Sequence, residues 1–457
     1  MAALLRTRTA SGAISTEASG NEMPDTTGAE FALPHELAED KEARWQVQRE
    51  RLAASSFYQQ HHVDAPLQLP ATLDGIGELP FTDKEDLRRD QAAHPPFGSY
   101  LANTPDSVSR LHRTSGTTGQ AMNIALSAHD ARLQAEVAGR AQSAAGLGPG
   151  DTVVHCLNYQ LWMGGLTDHL GLEATGAMVV PFGAGATELL IRTIRELGIN
   201  AISCTPSYPA RLAEVLSEHF PDIEPKSLGL RKAFMGGEPG LDDPAFRERL
   251  YDVWGMRAMN SNYGVSDFLC NFAGQCTEQN DLHFMATDVA QAELVVPGED
   301  IVVPWQAGSE GELVLTHLDR ECQPLVRFRT GDLVRLTATE RCSCGRGAPR
   351  FRVIGRTDEM IVVRGVNAFP SVVAAAVNAC PELNGEYRIR LSHPPPYARL
   401  PLEVELAQGH EASDRLCDAL NKRLGDTLRL GVALTVLASG TLVRTEGKTR
   451  RLIKEYT

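Results

Sequence analysis

The sequence predicts an α/β fold with a large N-terminal domain, residues 29–357, and a small mobile α+β domain, residues 358–457. Between residues 152 and 235, strand-like and helix-like segments alternate, which is typical of parallel sheets covered by helices on both faces. After about residue 284 the apolar runs become short and predict an antiparallel or barrel-like subdomain. A second change, near Asp358, marks the beginning of the C-terminal domain.

Capping residues and hydrophobic periodicity place the individual elements. Thr82 is predicted to begin a helix, because its hydroxyl can accept hydrogen bonds from amides of the first turn. Ser127 caps a second helix that ends near Ala145, and the apolar face of the helix at 187–197 includes Leu197. The other predicted elements are helices at 35–62, 209–220, 371–379 and 413–424, and strands at 152–157, 177–181, 200–204, 232–235, 292–296, 311–316, 325–329, 360–364, 387–391, 402–406 and 432–437.

Charge and composition exclude several classes of partner. The 457 residues carry a net charge of −14 and give a pI near 5.4, whereas nucleic acids and anionic membrane surfaces bind basic patches. No run of about 18 apolar residues predicts a membrane-spanning helix. Residues 1–28 are expected to be a disordered tail; an organelle presequence containing Arg6 and Arg8 and a true start at Met23 are alternatives.

The cysteines indicate the compartment. Their odd count of nine and the lack of a signal-peptide pattern favour reduced thiols in the cytoplasm. We therefore expect a cytoplasmic protein that acts on small molecules, and a homodimer is compatible with this interpretation.

A run of small and hydroxylated residues at 112–127, HRTSGTTGQAMNIALS, is the strongest local motif. Backbone amides and hydroxyls can converge on phosphate oxygens where no bulky side chain blocks the backbone. It is not a Walker loop, because its glycines are too close together and no Gly-Lys-Ser/Thr follows. A plain surface turn is the alternative. The predicted phosphate-binding residues are Ser115, Gly116, Thr117, Thr118 and Gly119.

Two pairs of soft ligands predict a structural metal site. Cys342 and Cys344 form a tight knuckle, and Cys276 with His283 lies in an earlier loop. Two such pairs separated by a long segment are typical of tetrahedral Zn²⁺. Cys270 is an alternative fourth ligand, and free cysteines with an unrelated histidine are the alternative to a metal.

Five motifs in a fixed order indicate the family. They are SGTTG at 115–119, YGVSD at 263–267, RTGD at 329–332, GRTD at 355–358 and EGK at 446–448. The sequence resembles the adenylate-forming superfamily of acyl-CoA synthetases, luciferases and nonribosomal adenylation domains. Within it, WMGGL at 162–166, CTPSY at 204–208 and RGVNAFP at 364–370 resemble the phenylacetate–CoA ligase branch.

The resemblance implies a role for each motif. Lys448 stabilises the pentavalent phosphate, Asp358 is the hinge of the C-terminal domain, and Asp267 helps to hold Mg²⁺ where relatives usually have Glu. Asp332 binds the ribose. The implied nucleotide contacts are the glycine loop with Gly237, Glu238, Pro239, Tyr263, Gly264, Asp332 and Arg356, and the implied CoA contacts are Arg364 and Gly365.

An acyl pocket is expected where the branch places it, between a strand and a helix. Aromatic and thioether walls over a glycine floor suit a flat aryl or arylacetic acid. The predicted lining is Tyr159, Trp162, Met163, Gly164, Gly165, Tyr208 and Phe234, each of which could instead be core.

The resemblance therefore implies an acid–thiol ligase that uses ATP, Mg²⁺ and CoA. The acid would first become an acyl-adenylate with release of pyrophosphate, and then a CoA thioester with release of AMP. Transfer to a carrier protein, an amine or another acceptor is one alternative. A non-catalytic nucleotide-binding protein is another.

Overall fold

The structure, a computed structural model, describes residues 28–60, 68–114, 121–364, 366–443 and 449–456. The helices are α1 (Ala38–Ala54), α2 (Ser56–Gln60), α3 (Lys84–Ala93), α4 (Ala128–Ala144), α5 (Met163–Glu173), α6 (Thr187–Leu197), α7 (Tyr208–His219), α8 (Pro244–Trp254), α9 (Pro370–Asn378) and α10 (Asp414–Leu428). The strands are β1 (Arg110–Arg113), β2 (Asn123–Leu126), β3 (Thr152–His155), β4 (Met178–Pro181), β5 (Ala201–Cys204), β6 (Lys232–Gly236), β7 (Arg257–Val265), β8 (Leu269–Gln275), β9 (Leu282–Phe284), β10 (Ala290–Val295), β11 (Val302–Val303), β12 (Glu310–His317), β13 (Phe328–Ala338), β14 (Arg350–Arg356), β15 (Ile361–Val363), β16 (Val366–Ala368), β17 (Leu383–Leu391), β18 (Leu400–Leu406), β19 (Val432–Leu437) and β20 (Leu452–Lys454).

Twelve of the described strands form one mixed sheet in the order β11-β10-β12-β13-β14-β9-β8-β7-β6-β5-β3-β4. Pairing is parallel from β4 to β7 and antiparallel from β7 onward, so β7 joins the two halves. The α/β fold class is thereby confirmed. The antiparallel strands continue the parallel sheet in this open order. Strands β7, β13 and β14 therefore belong to one sheet.

Capping and burial explain the helices that were predicted well. The Ser127 hydroxyl accepts a hydrogen bond from the Asp130 amide at 3.0 Å, as predicted for an N-cap. The prediction for Thr82 was wrong: Asp83 caps α3 through the Asp86 amide, while the Thr82 backbone pairs with Arg327 and Arg329.

Two other helix predictions need correction. The helix predicted at 35–62 breaks at Ser55, whose extended backbone separates α1 from α2. Leu197 is 55% exposed at the end of α6, while the other predicted members of the apolar face, Leu190, Ile191 and Ile194, are buried together with Thr187.

The C-terminal segment packs around its own core. Strands β19, β18, β17 and β20 form a four-stranded sheet, and α9 and α10 pack with it around residues such as Val373, Ile389 and Leu424. Strands β15 and β16 make a separate hairpin. Within the part of the chain that the structure describes, no helix combines the length and apolar character that crossing a membrane requires.

Candidate active site

Tyr263, Asp332 and Arg356 are distant in the sequence but meet on the large sheet. Asp332 on β13 and Arg356 on β14 are direct partners in the antiparallel pairing, and Tyr263 lies near the end of β7. The Tyr263 hydroxyl donates to Asp332 Oδ2 at 2.8 Å, and the Arg356 guanidinium donates to Asp332 Oδ1. Three of the five motifs therefore form one hydrogen-bonded group.

The charge of Asp332 helps to keep Arg356 and Tyr263 protonated, so that both remain hydrogen-bond donors. Arg356 Nε also donates to Asp358 Oδ1 at 2.9 Å. Burial opposes the charge of Arg356, but the carboxylates of Asp332 and Asp358 raise its pKa above the ordinary value. Burial and the charge of Asp332 raise the pKa of Tyr263 well above its ordinary value, so the phenol stays protonated and continues to donate.

Glycines allow the strands at this edge to approach closely. A Cβ at Gly236 would lie 2.0 Å from the carbonyl oxygen of Asn262, and one at Gly264 would lie 1.9 Å from that of Cys270. Gly237 has φ +80°, a conformation that glycine adopts without strain. Gly236 and Gly264 are thus explained by close backbone contact, and Gly237 by its backbone conformation.

Glu238 binds backbone amides from two distant segments. Its Oε2 accepts from the Ser207 amide at 3.1 Å, and its Oε1 accepts from the Thr449 amide at 2.5 Å. Thr449 directly follows the predicted Lys448. The Glu238 carboxylate therefore contacts the C-terminal segment, which the expected nucleotide contact did not include, and Pro239 beside it is exposed.

Several predicted residues lie outside the described residues: Lys448, Gly365 and the glycine loop, which comprises Ser115, Gly116, Thr117, Thr118 and Gly119. The flanks of the loop are described. The Thr114 amide donates to the Met122 carbonyl at 3.0 Å, and the Met122 amide donates to Thr114 Oγ1 at 2.9 Å. These bonds extend the β1–β2 hairpin up to the base of the loop.

Comparison with known proteins gives the same assignment as the motifs. The sequence profile of the AMP-binding enzyme family matches residues 36–317, and that of the AMP-binding enzyme C-terminal domain matches residues 365–455. A phenylacetate-coenzyme A ligase of Thermus thermophilus is 34% identical over 401 residues, covering 83% of this chain and 87% of that protein. The chain belongs to the AMP-binding enzyme family. The family resemblance predicted from the motifs is confirmed.

A solved relative is similar in two states. In the postadenylation state, with 2-HIB-AMP, 2-hydroxyisobutyryl-CoA ligase matches with a TM-score of 0.76 and 28% identity, covering 92% of this chain and 86% of the other. In its thioesterification state, with 2-HIB-AMP and CoA, the TM-score is 0.66 at 29% identity, covering 93% and 91%. The AMP-binding enzyme described here is thus more similar to the postadenylation state.

The predicted acyl-pocket residues differ in their surroundings: some lie at the start of α5 and others are buried in apolar clusters. Tyr159 and Trp162 are half-buried beside the start of α5, and a Cβ at Gly165 would lie 2.2 Å from the Asn158 carbonyl oxygen. A Cβ at Gly164 would lie 2.9 Å from the Trp162 ring. The other three predicted residues are buried in apolar clusters: Met163 with Ile124 and Cys270, Tyr208 with Leu212 and Ile191, and Phe234 with Leu172 and Met259.

A buried carboxylate beside this segment has no counterpart among the predicted residues. Asp168 is 1% exposed; Asn262 donates to one of its oxygens, and the Cys270 thiol lies 3.6 Å from the other. Burial raises the pKa of Asp168 from 3.8 to about 7. Because Cys270 makes this contact, it is not part of the predicted metal site. An acidic residue on an apolar helix was the signal available in the sequence.

Asp267, the predicted Mg²⁺ ligand, lies at the end of the YGVSD motif and is buried. Its Oδ2 accepts from Lys84 Nζ at 2.6 Å, while its Oδ1 is buried with no hydrogen-bond partner among the described residues. Lys84 begins α3 and is a second group that sequence reasoning missed. The buried, unpartnered oxygen fits a carboxylate that has a further ligand to bind.

The four predicted zinc ligands come together. The side-chain donor atoms of Cys276, His283, Cys342 and Cys344 all lie within 4.8 Å of one another. His283 Nδ1 lies 3.3 Å from the Ala348 carbonyl oxygen, to which it can only donate, so Nε2 keeps the lone pair that faces Cys344 Sγ at 3.7 Å. A hydrogen bond from the Cys276 thiol lowers the pKa of the Cys344 thiol. Such a donor set could hold one tetrahedral metal ion.

The CoA contact implied for Arg364 falls at the tip of the β15–β16 hairpin. Its side chain is exposed, and its backbone has φ +50°, which is uncommon for a residue other than glycine. Such backbone strain is more frequent at functional positions than elsewhere.

Proposed function

We propose that this enzyme activates an aryl or arylacetic acid with ATP and then transfers the acyl group to CoA. In the first half-reaction a carboxylate oxygen of the acid attacks the α-phosphorus, forming the acyl-adenylate and releasing pyrophosphate. In the second, the thiol of CoA attacks the acyl carbon, and AMP leaves with the bridging oxygen. The observation that carries the proposal is the hydrogen-bonded group of Tyr263, Asp332 and Arg356.

This group suits the nucleoside part of ATP. Asp332 is 5% exposed and is oriented by two donors, so its carboxylate is positioned to accept hydrogen bonds from ribose hydroxyls. Arg356 brings positive charge beside it, close to where the phosphates would begin. Preorganised charges and donors of this kind stabilise the negative charge that develops during transfer at phosphorus.

Lys448 and the glycine loop would supply the remaining positive charge and donors. Two anions meet in the first half-reaction, so their repulsion must be offset at the α-phosphorus. The contact between Thr449 and Glu238 supports a place for Lys448 beside the nucleotide, because the two residues are adjacent in the chain.

The Asp267 carboxylate would contribute to a Mg²⁺ site, and Lys84 would be its counter-ion when the metal is absent. Mg²⁺ prefers carboxylate oxygens together with those of the substrate phosphates, which is the chemistry that Asp267 offers. Bound there, the ion would neutralise charge on the phosphates of ATP.

The residues near α5 favour an aromatic acid. The Asn158 backbone leaves no room for a side chain at Gly165. Tyr159 and Trp162 offer half-buried ring surfaces. A flat ring can stack against such aromatic surfaces.

The second half-reaction would require the C-terminal domain to rotate about Asp358, bringing Arg364 to CoA. The exposed side chain and positive φ of Arg364 support this role. A hinge fits Asp358, because it lies between the end of β14 and the first strand of the C-terminal segment.

The cluster of Cys276, His283, Cys342 and Cys344 would hold a structural Zn²⁺. All four tetrahedral positions would be filled by side chains, which is the pattern of structural rather than catalytic zinc. All nine cysteines have free thiols, which fits the reducing cytoplasm that the sequence favours.

ATP–pyrophosphate exchange over benzoic, phenylacetic, cinnamic and amino-substituted aryl acids tests the proposal, with hexanoic acid as the aliphatic control. We expect exchange with at least one aryl acid, and CoA-dependent release of AMP and thioester from that acid. Exchange without thioester would favour a carrier-protein or amine acceptor. Binding of ATP without exchange for any acid would contradict the proposed activity.

A further inference from the structure

Among the described residues, Arg249 and Glu238 are two side chains of the large domain that bind the C-terminal segment near the proposed nucleotide site. On α8, Arg249 donates from Nη1 to the Asn378 carbonyl oxygen at 2.8 Å and from Nη2 to Asn378 Oδ1 at 2.5 Å. Asn378 is the last residue of α9, where helix carbonyls lack partners within the helix. A guanidinium is therefore a fitting partner for this helix end.

In its own domain, no group that the structure describes accepts a hydrogen bond from Arg249. Among the described residues its hydrogen bonds all go to Asn378, and the Phe246 ring, 5.9 Å from the guanidinium carbon, is its other close neighbour. No carboxylate forms an ion pair with it in the described part of the chain. The side chain is half-buried, so it can return to water if the two domains separate.

Glu238 makes the second connection, to Thr449, which directly follows the predicted Lys448 in the chain. Its carboxylate binds the Ser207 amide with one oxygen and the Thr449 amide with the other. The Ser207 and Thr449 hydroxyl oxygens are also 3.4 Å apart. Any rotation that moves the C-terminal domain away from Ser207 and Glu238 must break these contacts.

A cavity of about 210 Å³ separates the two connections. Arg249, Asn378, Glu238 and Thr449 all line it, together with Tyr387 and Arg451. Around this cavity the contact consists of these two hydrogen-bonded points, and at β14 Ser371 Oγ adds a hydrogen bond to the Ile354 carbonyl oxygen at 2.7 Å. The hydrogen bonds at the two points can be exchanged for bonds to water when the domains separate, so the net cost of breaking each one is modest.

We propose that Arg249–Asn378 and Glu238–Thr449 form a latch that holds the C-terminal domain in the adenylate-forming arrangement. This inference rests on the proposed function. The latch sets the balance between the two half-reactions: closed, it keeps Lys448 at the nucleotide; open, it frees the domain for the CoA step. Arg249 and Asn378 are positioning residues, since they act through Lys448.

Two substitutions should move the balance in opposite directions. Arg249→Met removes the guanidinium and keeps a long apolar stem. Asn378→Asp places a carboxylate against Arg249 and strengthens the latch through an ion pair. Arg192→Met is the control, because Arg192 is an exposed arginine whose nearest carboxylate, Glu188, is on its own helix α6.

The two half-reactions are measured separately for each variant: ATP–pyrophosphate exchange for the first, and thioester formation from the synthetic acyl-adenylate and CoA for the second. We expect Arg249→Met to lower exchange about tenfold without lowering thioester formation, and Asn378→Asp to keep exchange but lower thioester formation about fivefold. Equal loss of both activities in the two variants, or values equal to those of the control, would overturn the latch.

Amide hydrogen exchange of residues 449–456 gives a readout that does not depend on activity. We expect faster exchange in Arg249→Met than in the wild type and in Arg192→Met. An inactive wild-type protein that shows this difference would contradict the proposed function but keep the latch. An active wild type with no difference in amide exchange would contradict the latch alone.

Discussion

The nucleotide side of the enzyme and the contact between its domains use similar groups in different ways. Tyr263, Asp332 and Arg356 lie on strands of one sheet, so the backbone pairing of β13 with β14 fixes their separation. Arg249 and Glu238 instead bind neutral groups of a segment that has its own core. Groups fixed by a shared sheet are suited to permanent recognition, while groups that meet across two cores can separate.

The largest effect is expected when the negative charge is removed from the hydrogen-bonded group of Tyr263, Asp332 and Arg356. Asp332→Asn keeps the shape of the side chain but makes it a poorer acceptor from Tyr263, Arg356 and ribose hydroxyls. We expect ATP–pyrophosphate exchange to fall about 100-fold. Asp300→Asn is the control, because the Asp300 side chain is 84% exposed and pairs with Arg329. Similar activity in the two variants would show that Asp332 is dispensable.

The cluster of Cys276, His283, Cys342 and Cys344 is a third region to compare. There the charge of a metal ion would join two loops. We expect the purified enzyme to contain about one zinc per chain, and Cys276→Ser to lose it and to lower the free energy of unfolding by about 2–4 kcal/mol. Metal analysis and urea denaturation measure both. Cys417→Ser, on α10, should retain the zinc. A wild type that binds no zinc would leave the four residues as free thiols and a histidine.

Arg364 tests the other side of the comparison, because it lies in the C-terminal segment, whose rotation we propose. We expect Arg364→Ala to raise the KM for CoA about tenfold and to leave ATP–pyrophosphate exchange unchanged. The exposed Arg415→Ala on α10 is the matched control. A loss of exchange would instead place Arg364 in the first half-reaction.

The smallest predicted effect concerns Asp168, a buried carboxylate without a cationic partner among the described residues. Its pKa is about 7 in the folded enzyme and near 3.8 when unfolded, so between these pH values the folded state holds a proton that the unfolded state releases. Wild-type stability should therefore fall as pH rises through this window, and Asp168→Asn should remove that loss.

Urea denaturation at pH 5 and pH 8 measures this effect. We expect the stability of Asp168→Asn relative to wild type to rise by about 2–3 kcal/mol between the two pH values. The exposed Asp252→Asn on α8 should show no such change. A constant difference between Asp168→Asn and wild type at both pH values would contradict the raised pKa.

Sequence reasoning succeeded where a local signal fixes the structure. The period of apolar residues gave α6 its bounds, and Ser127 gave the beginning of α4. It failed where a distant contact decides: Thr82 looks like a cap, but its backbone pairs with residues almost 250 positions later, so the cap falls to Asp83.

The same distinction holds for the site. The spacing of Cys276, His283, Cys342 and Cys344 was sufficient to predict a cluster that the structure brings together. The contacts of Lys84 with Asp267 and of Arg249 with Asn378 join residues more than 100 positions apart, and no motif marks them. Such pairs are set by how the sheet and the C-terminal core meet, which local patterns do not contain.

The fate of the oxygen atoms of the acid tests the central claim most directly. An acid labelled with ¹⁸O in its carboxylate is incubated with ATP, CoA and the wild-type enzyme, and the products are analysed by mass spectrometry. Attack of the carboxylate on the α-phosphorus followed by transfer to CoA predicts one ¹⁸O atom in each AMP released. Label in inorganic phosphate together with ADP, or unlabelled AMP, would contradict an acyl-adenylate intermediate.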